Sequence, residues 1–158
     1  MSKPLLSILA AACALALPAL AHSRQISLTA QLKNYGGDGA YLAAYLTDAK
    51  GAYVRTLWVA GGKAKYYKHL ADWSRLSASD AKRLDGVTGA SVGAGRTLKV
   101  TADLADALID AGYEIRIDAA AEKMRDSPSE VRIPLIAANA GKPHAGKQYV
   151  QSVTFQLP

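Results

Sequence analysis

Residues 24–33 read RQISLTAQLK, with Ile26, Leu28, Ala30 and Leu32 on one side of an extended chain and Gln25, Ser27, Thr29, Gln31 and Lys33 on the other. Side chains alternate across a strand with a period of two, so this stretch predicts a half-buried β-strand, one face in a core and one in water. The pattern recurs. AYLAAYLTD (40–48) and YVRTLWVA (52–59) are further strands, and the turn at Asp48-Ala-Lys-Gly51 predicts that they form a hairpin. RTLKVTA (96–102), YEIRIDA (113–119), EVRIPLIA (130–137) and residues 149–157 complete the set. Pro134 places its strand at an edge or a bulge, because proline has no N–H to give to a ladder. Short strands punctuated by turn clusters such as NYGGDG (34–39) predict a mainly β chain, an antiparallel immunoglobulin-like β-sandwich. Strand and helix do not alternate regularly, which argues against a parallel doubly wound sheet. The stretch DLADALIDAG (103–112) reads equally as a helical turn or a loop.

Residues 64–84 break the pattern. They contain no β-branched residue and set Tyr67, Leu70, Trp73 and Leu76 at helical spacing, which predicts a short helical insertion between strands. Ser77 or Ser79 is placed to cap a second short helix over Asp80–Leu84. A glycine-rich loop, DGVTGASVGAG (85–95), follows.

The first 21 residues read as a signal peptide. Lys3 gives a positive start, Leu5–Leu17 is an uncharged apolar run, Pro18 ends it, and Ala19-Leu20-Ala21 offers the small residues of a cleavage site. Cleavage after Ala21 is expected, leaving residues 22–158 as a single β-sandwich domain in the periplasm; acylation of Cys13 as a lipoprotein fits the length of the apolar run less well. Cys13 is the sole cysteine, so the exported part would have neither disulfide nor thiolate chemistry and would depend on its core. No later stretch is long and apolar enough to span a bilayer. The chain holds 19 Lys and Arg against 13 Asp and Glu, and loss of Lys3 with the leader lowers the net charge from +6 to +5. Export disfavours nucleic acid as a partner and points the charge towards an anionic surface or ligand.

Familiar catalytic patterns fit badly. His22, His69 and His144 lie in separate segments without metal-ligand spacing, although His22 at a new amino terminus offers a conceivable copper site. Gly89-Ala-Ser-Val-Gly93 has the bare spacing of a nucleophile elbow, but a helical segment precedes it and a strand follows, the reverse of the required order. The same loop lacks the Gly-Lys-Ser/Thr ending of a phosphate-binding loop. The basic aromatic stretch KAKYYKHLADWSR (63–75) admits two readings. Tyr67, Leu70 and Trp73 pack one helix face on the sheet with the lysines and His69 solvated, or Trp58, Tyr66 or Trp73 forms a platform for a flat aromatic ligand whose phosphate meets the lysines.

Asp85-Gly-Val-Thr-Gly-Ala-Ser91 reads physically as a flexible exposed turn carrying two hydroxyls, with little side-chain bulk around Ser91. It resembles the Asp-x-x-Ser/Thr-Gly-Ala-Ser/Thr acceptor sequence of ApbE-type flavin transferases, which move FMN from FAD onto the last hydroxyl as a phosphoester. Asp85, Thr88, Gly89 and Ala90 match, and Ser91 falls on the acceptor, where the family mostly has Thr. A second resemblance runs through Arg55-Thr-Leu-Trp58, Gly61-Gly-Lys63, the Lys-Tyr…Leu…Trp segment and Asp-x-Val-Thr-Gly-Ala. That order is similar to an uncharacterised periplasmic domain family, related in style to the Ig-like domain of flagellar hook-capping proteins. Its members accompany PepSY-type membrane proteins and flavin transferases. DAGYEIRIDA (110–119) is similar to that family's strand, while its usual Trp-Asp-Gly-x-Asp segment is replaced here by ADLADALIDA.

The resemblance implies a periplasmic electron-transfer flavoprotein: FMN bonded to Ser91, a flavin transferase to deliver it, a PepSY-type membrane redox partner, and a carrier more than a catalyst. The residues alone leave two other classes open, a cofactor-free binding or accessory module and a haem or metal carrier using the histidines.

Overall fold

The computed structural model describes residues 22–158; the leader expected over residues 1–21 lies outside them. Eight strands are described: β1 (Ser23–Leu32), β2 (Tyr41–Thr47), β3 (Tyr53–Ala60), β4 (Thr88–Gly89), β5 (Thr97–Ala105), β6 (Glu114–Ala120), β7 (Ser127–Pro134) and β8 (Val150–Gln156). They form a three-stranded sheet, β5-β1-β8, and a five-stranded sheet, β4-β3-β2-β6-β7. The chain is a mainly β sandwich, as the alternating segments predict. Every pairing is antiparallel except the short one between β3 and β4. β7 is the edge strand that Pro134 foretells.

The strand neighbours are those of an immunoglobulin-type sandwich with its order permuted. β3-β2-β6-β7 corresponds to C′-C-F-G and β8-β1-β5 to A-B-E, so the last strand of this chain stands where an immunoglobulin domain has its first.

Period-two alternation distributes the five-stranded sheet between two cores. Leu42, Ala44 and Leu46 of β2 and Ile115, Ile117 and Ala119 of β6 face the small sheet, where they meet Leu28, Val153 and Phe155. Ala43, Tyr45 and Ala120 face the other way and are covered by Tyr67, Leu70 and Trp73 of the helical insertion.

That insertion is not one helix. A 3-10 helix, Ala64–His69, is followed by a short α-helix, α1 (Ala71–Leu76), with a break at Leu70, whose backbone is non-helical. The break lets Leu70 and Trp73 both reach the sheet, each 0 % exposed. The second helix expected over Asp80–Leu84 is a run of turns instead, with Asp80 Oδ1 accepting from the Lys82 N–H at 3.0 Å. Such local bonds compete with helix. Residues 103–105 extend β5, and Asp106–Leu108 is a 3-10 turn.

Candidate functional site

The segment expected to be a flexible loop is docked on the sheet. β3 would otherwise be an edge with unpaired amides, and residues 87–89 satisfy them. The Val59 N–H donates to the Val87 carbonyl and the Gly61 N–H to the Gly89 carbonyl, both at 2.7 Å. Beyond Ser91, Ala40 and Val92 exchange both backbone hydrogen bonds at 2.7 and 2.9 Å, and the Val92 side chain is buried in the sandwich core. Asp85, Thr88, Ala90 and Ser91 remain exposed. Ser91 is thus a solvent-facing side chain on a backbone fixed at both flanks.

Two glycines sit at close approaches. A Cβ on Gly89 would stand 2.7 Å from Cζ2 of Trp58, so the glycine of the motif is the residue that lets β4 lie across the indole. A Cβ on Gly39 would stand 2.8 Å from Oγ of Ser91, so the bare backbone of Gly39 leaves the recess in which that hydroxyl sits.

Ser91 lines a cavity of about 580 Å³ at the end of the five-stranded sheet where β2 begins and β6 ends. Its walls come from four separated segments: Asp38–Tyr41, Lys63–His69, Ser91 and Ala120–Asp126. Ala120 and Ala121, small residues at the end of β6, leave room at its floor. Tyr66 and Tyr41 meet edge to face with ring centroids 5.7 Å apart, and the Tyr41 hydroxyl accepts from the Lys63 N–H at 3.0 Å. The Lys65 ammonium sits 4.9 Å from the centroid of the Tyr66 ring. Nδ1 of His69 lies 3.1 Å from Oδ2 of Asp126.

The walls are braced from beneath. The Tyr35 hydroxyl donates to the Asp38 carbonyl at 2.5 Å, the Tyr149 hydroxyl donates to the Arg125 carbonyl at 2.6 Å, and the two rings meet edge to face at 5.0 Å. Glu130, 1 % exposed, accepts from the backbone N–H groups of Lys147, Gln148, Tyr149 and Val150 at 2.7–3.0 Å and from the Ser127 hydroxyl at 2.5 Å. Burial alone would raise the Glu130 carboxyl, but the Ser127 and backbone donors outweigh it and hold the group below the usual carboxylate range.

Of the side chains expected to form an aromatic platform, Tyr66 is in the cavity wall beside Ser91. Trp73 is 0 % exposed, with its indole N–H donating to the Thr56 hydroxyl at 2.9 Å; it is a core residue, as the helical spacing of 67, 70 and 73 implies. Trp58 lies under β4 against the sandwich core, and its indole N–H is buried without a hydrogen-bond partner. Neither tryptophan is among the side chains lining the cavity. Sequence reasoning missed Tyr41, Lys123, Met124 and Asp126 as neighbours of Ser91, while Lys63 and His69 belong to the basic aromatic stretch it singled out. The signal available was the clustering of Asp38-Gly39 and Gly61-Gly-Lys63 at strand ends that a hairpin brings together.

The histidines lie apart. His22 is exposed at the start of β1, His69 faces Asp126, and His144 forms an isolated bridge with Val153. Among the described residues no group of three or more His, Cys, Asp or Glu is placed to hold a metal ion. No helix among them is long and apolar enough to cross a membrane.

The fold and site define a β-sandwich with a cavity at one end and the Ser91 hydroxyl held at its rim. Residues 23–152 match the family described as predicted periplasmic protein (DUF2271), and the chain belongs to that family. No curated protein and no solved structure matches the chain.

Proposed function

We propose that this predicted periplasmic protein is an electron-transfer flavoprotein carrying FMN through a phosphoester on Ser91, with Asp85, Thr88, Gly89 and Ala90 as the sequence read by a flavin transferase. The observation that carries the reading is the placement of Ser91: an exposed hydroxyl, in the recess left by Gly39, opening on a cavity of about 580 Å³. Small-molecule sites span roughly 300–1,000 Å³, and an aromatic wall beside the tether suits a flat ring. The residues present therefore fit the group.

In the attachment step, Ser91 Oγ attacks the FMN-side phosphorus of FAD. An O–P bond forms, the pyrophosphate P–O bond breaks, AMP leaves with the electron pair, and the hydroxyl proton passes to a base of the transferase. Bound FMN would supply one- and two-electron chemistry, taking electrons from a PepSY-type membrane partner and passing them on. The chain's part is to fix the attachment point and the surroundings of the ring.

Intact mass of the protein co-expressed with an ApbE-type transferase tests this. An FMN-sized addition is expected in the wild type and absent from Ser91→Ala, with flavin emission co-migrating with the denatured chain. An unmodified wild type would overturn the reading and leave a cofactor-free binding module.

A further inference from the structure

We infer that the cavity beside Ser91 is the seat of the tethered ring, with Tyr66 and Met124 as its walls, and that the covalent bond supplies the retention the cavity cannot. This rests on the reading of Ser91 as the attachment point. The cavity's charges nearly balance. Lys63 and Lys123 stand against Asp38 and Glu122, and Asp126 is engaged by His69. Phosphate sites that work without a tether converge cationic side chains or aligned amides on the anion. Here carboxylates share the same walls as the lysines, so nothing selects a phosphate, whereas Tyr66, Tyr41 and Met124 offer aromatic and thioether surface to a flat ring.

A tether changes what such a seat has to do. A short flexible link holds its cargo at an effective concentration on the order of millimolar, so a site too weak to keep a free ligand is occupied by a tethered one. The two-sided clamp on the segment, at Gly89 through Gly61 and at Val92 through Ala40, keeps the attachment atom at the cavity rim and the link short. Retention and recognition are thereby separated: Ser91 retains, and the cavity orients.

The test uses the transferase-loaded full-length chain and, separately, unloaded Ser91→Ala. In the loaded protein, flavin emission is expected to be quenched several-fold relative to the same sample unfolded, because a ring packed on tyrosine is quenched. Tyr66→Ala and Tyr66→Phe are each expected to recover much of that emission, because a phenyl ring is too hard to oxidise to quench an excited flavin, and Met124→Ala to recover part of it by loosening the packing of the ring, with circular dichroism confirming that each variant folds. In Ser91→Ala, FMN and riboflavin are expected to shift the amide resonances of Tyr66, Lys123 and Met124 weakly and to similar extents. Loaded protein whose emission is equal when folded and unfolded, and equally open to iodide, would overturn the seat while leaving attachment at Ser91 intact. Resonance shifts in Ser91→Ala alongside an unmodified wild type would establish the seat and overturn the attachment. FMN bound far more tightly than riboflavin would show that the cavity does recognise phosphate, and the division of labour would fall.

Discussion

The two faces of the five-stranded sheet are held by different physics. The face towards the small sheet is apolar throughout, with Leu42, Leu46, Ile115 and Ile117 against Leu28, Val153 and Phe155. The outer face is covered by a short broken helix that brings few apolar side chains, and polar groups complete it. Asp118, 0 % exposed, accepts from the Trp73 N–H at 2.7 Å, the Ser129 N–H at 2.9 Å and the Tyr45 hydroxyl at 3.1 Å. The Ser77 hydroxyl closes on the Trp73 carbonyl at 2.6 Å, and the Tyr53 hydroxyl donates to Asp80 at 2.9 Å. Burying a large apolar side chain stabilises by about 1.5–3 kcal/mol without demanding direction, whereas a hydrogen bond contributes about 1 kcal/mol net but fixes an angle. One face gives the domain its stability. The other fixes the insertion whose first turn walls the cavity.

Three experiments test that contrast. Phe155→Ala, which empties a fully buried site between the sheets, is expected to cost about 3–5 kcal/mol in urea unfolding, in a single transition. Asp118→Ala is expected to cost about 3 kcal/mol, since it strands two N–H groups and a hydroxyl, and to raise amide exchange over residues 71–77 more than in β1. A cost below about 1 kcal/mol would mean that burial alone holds the cover. The smallest effect is one of pH. Glu130 has a lowered pKa, so its contribution is present above the unfolded value, about 4.3, and is lost as pH falls through the folded one. Burial pushes Asp118 up against its Trp73, Ser129 and Tyr45 donors, so its contribution is largest in acid and declines as pH rises from about 3.9 through the folded value. Glu130→Gln is therefore expected to flatten the acid loss of stability, and Asp118→Asn to steepen it, in unfolding followed from pH 3 to pH 7.

The strands were legible because each half-buried strand repeats one local rule. RQISLTAQLK lies within a residue of β1, and the 41–59 hairpin closes at the expected turn, with Asp48 Oδ1 accepting from Lys50 and Ala52. The break at Leu70 was hidden, because 67, 70, 73 and 76 suit an unbroken helix equally well. Asp118 and Glu130 were hidden differently. In YEIRIDA and EVRIPLIA they read as ordinary solvent-side positions, and what buries them arrives from Trp73 and from Lys147–Val150, far along the chain. For the same reason the cavity was not legible: Tyr41 and Met124 reach Ser91 only through the hairpin and the β6–β7 turn.

The permuted strand order has a consequence for how this domain comes into being. β1 is the middle strand of its sheet, yet one neighbour begins at Thr97 and the other at Val150. Contacts this distant in sequence are slow to form. A chain emerging N-terminus first would present β1 with both edges unpaired until β5 follows, and with one edge unpaired until β8 follows. β8 covers the second edge of β1 like a drawstring, so a chain cut short before β8 would leave that edge unpaired and strip Val153 and Phe155 from Leu28 and Ala30.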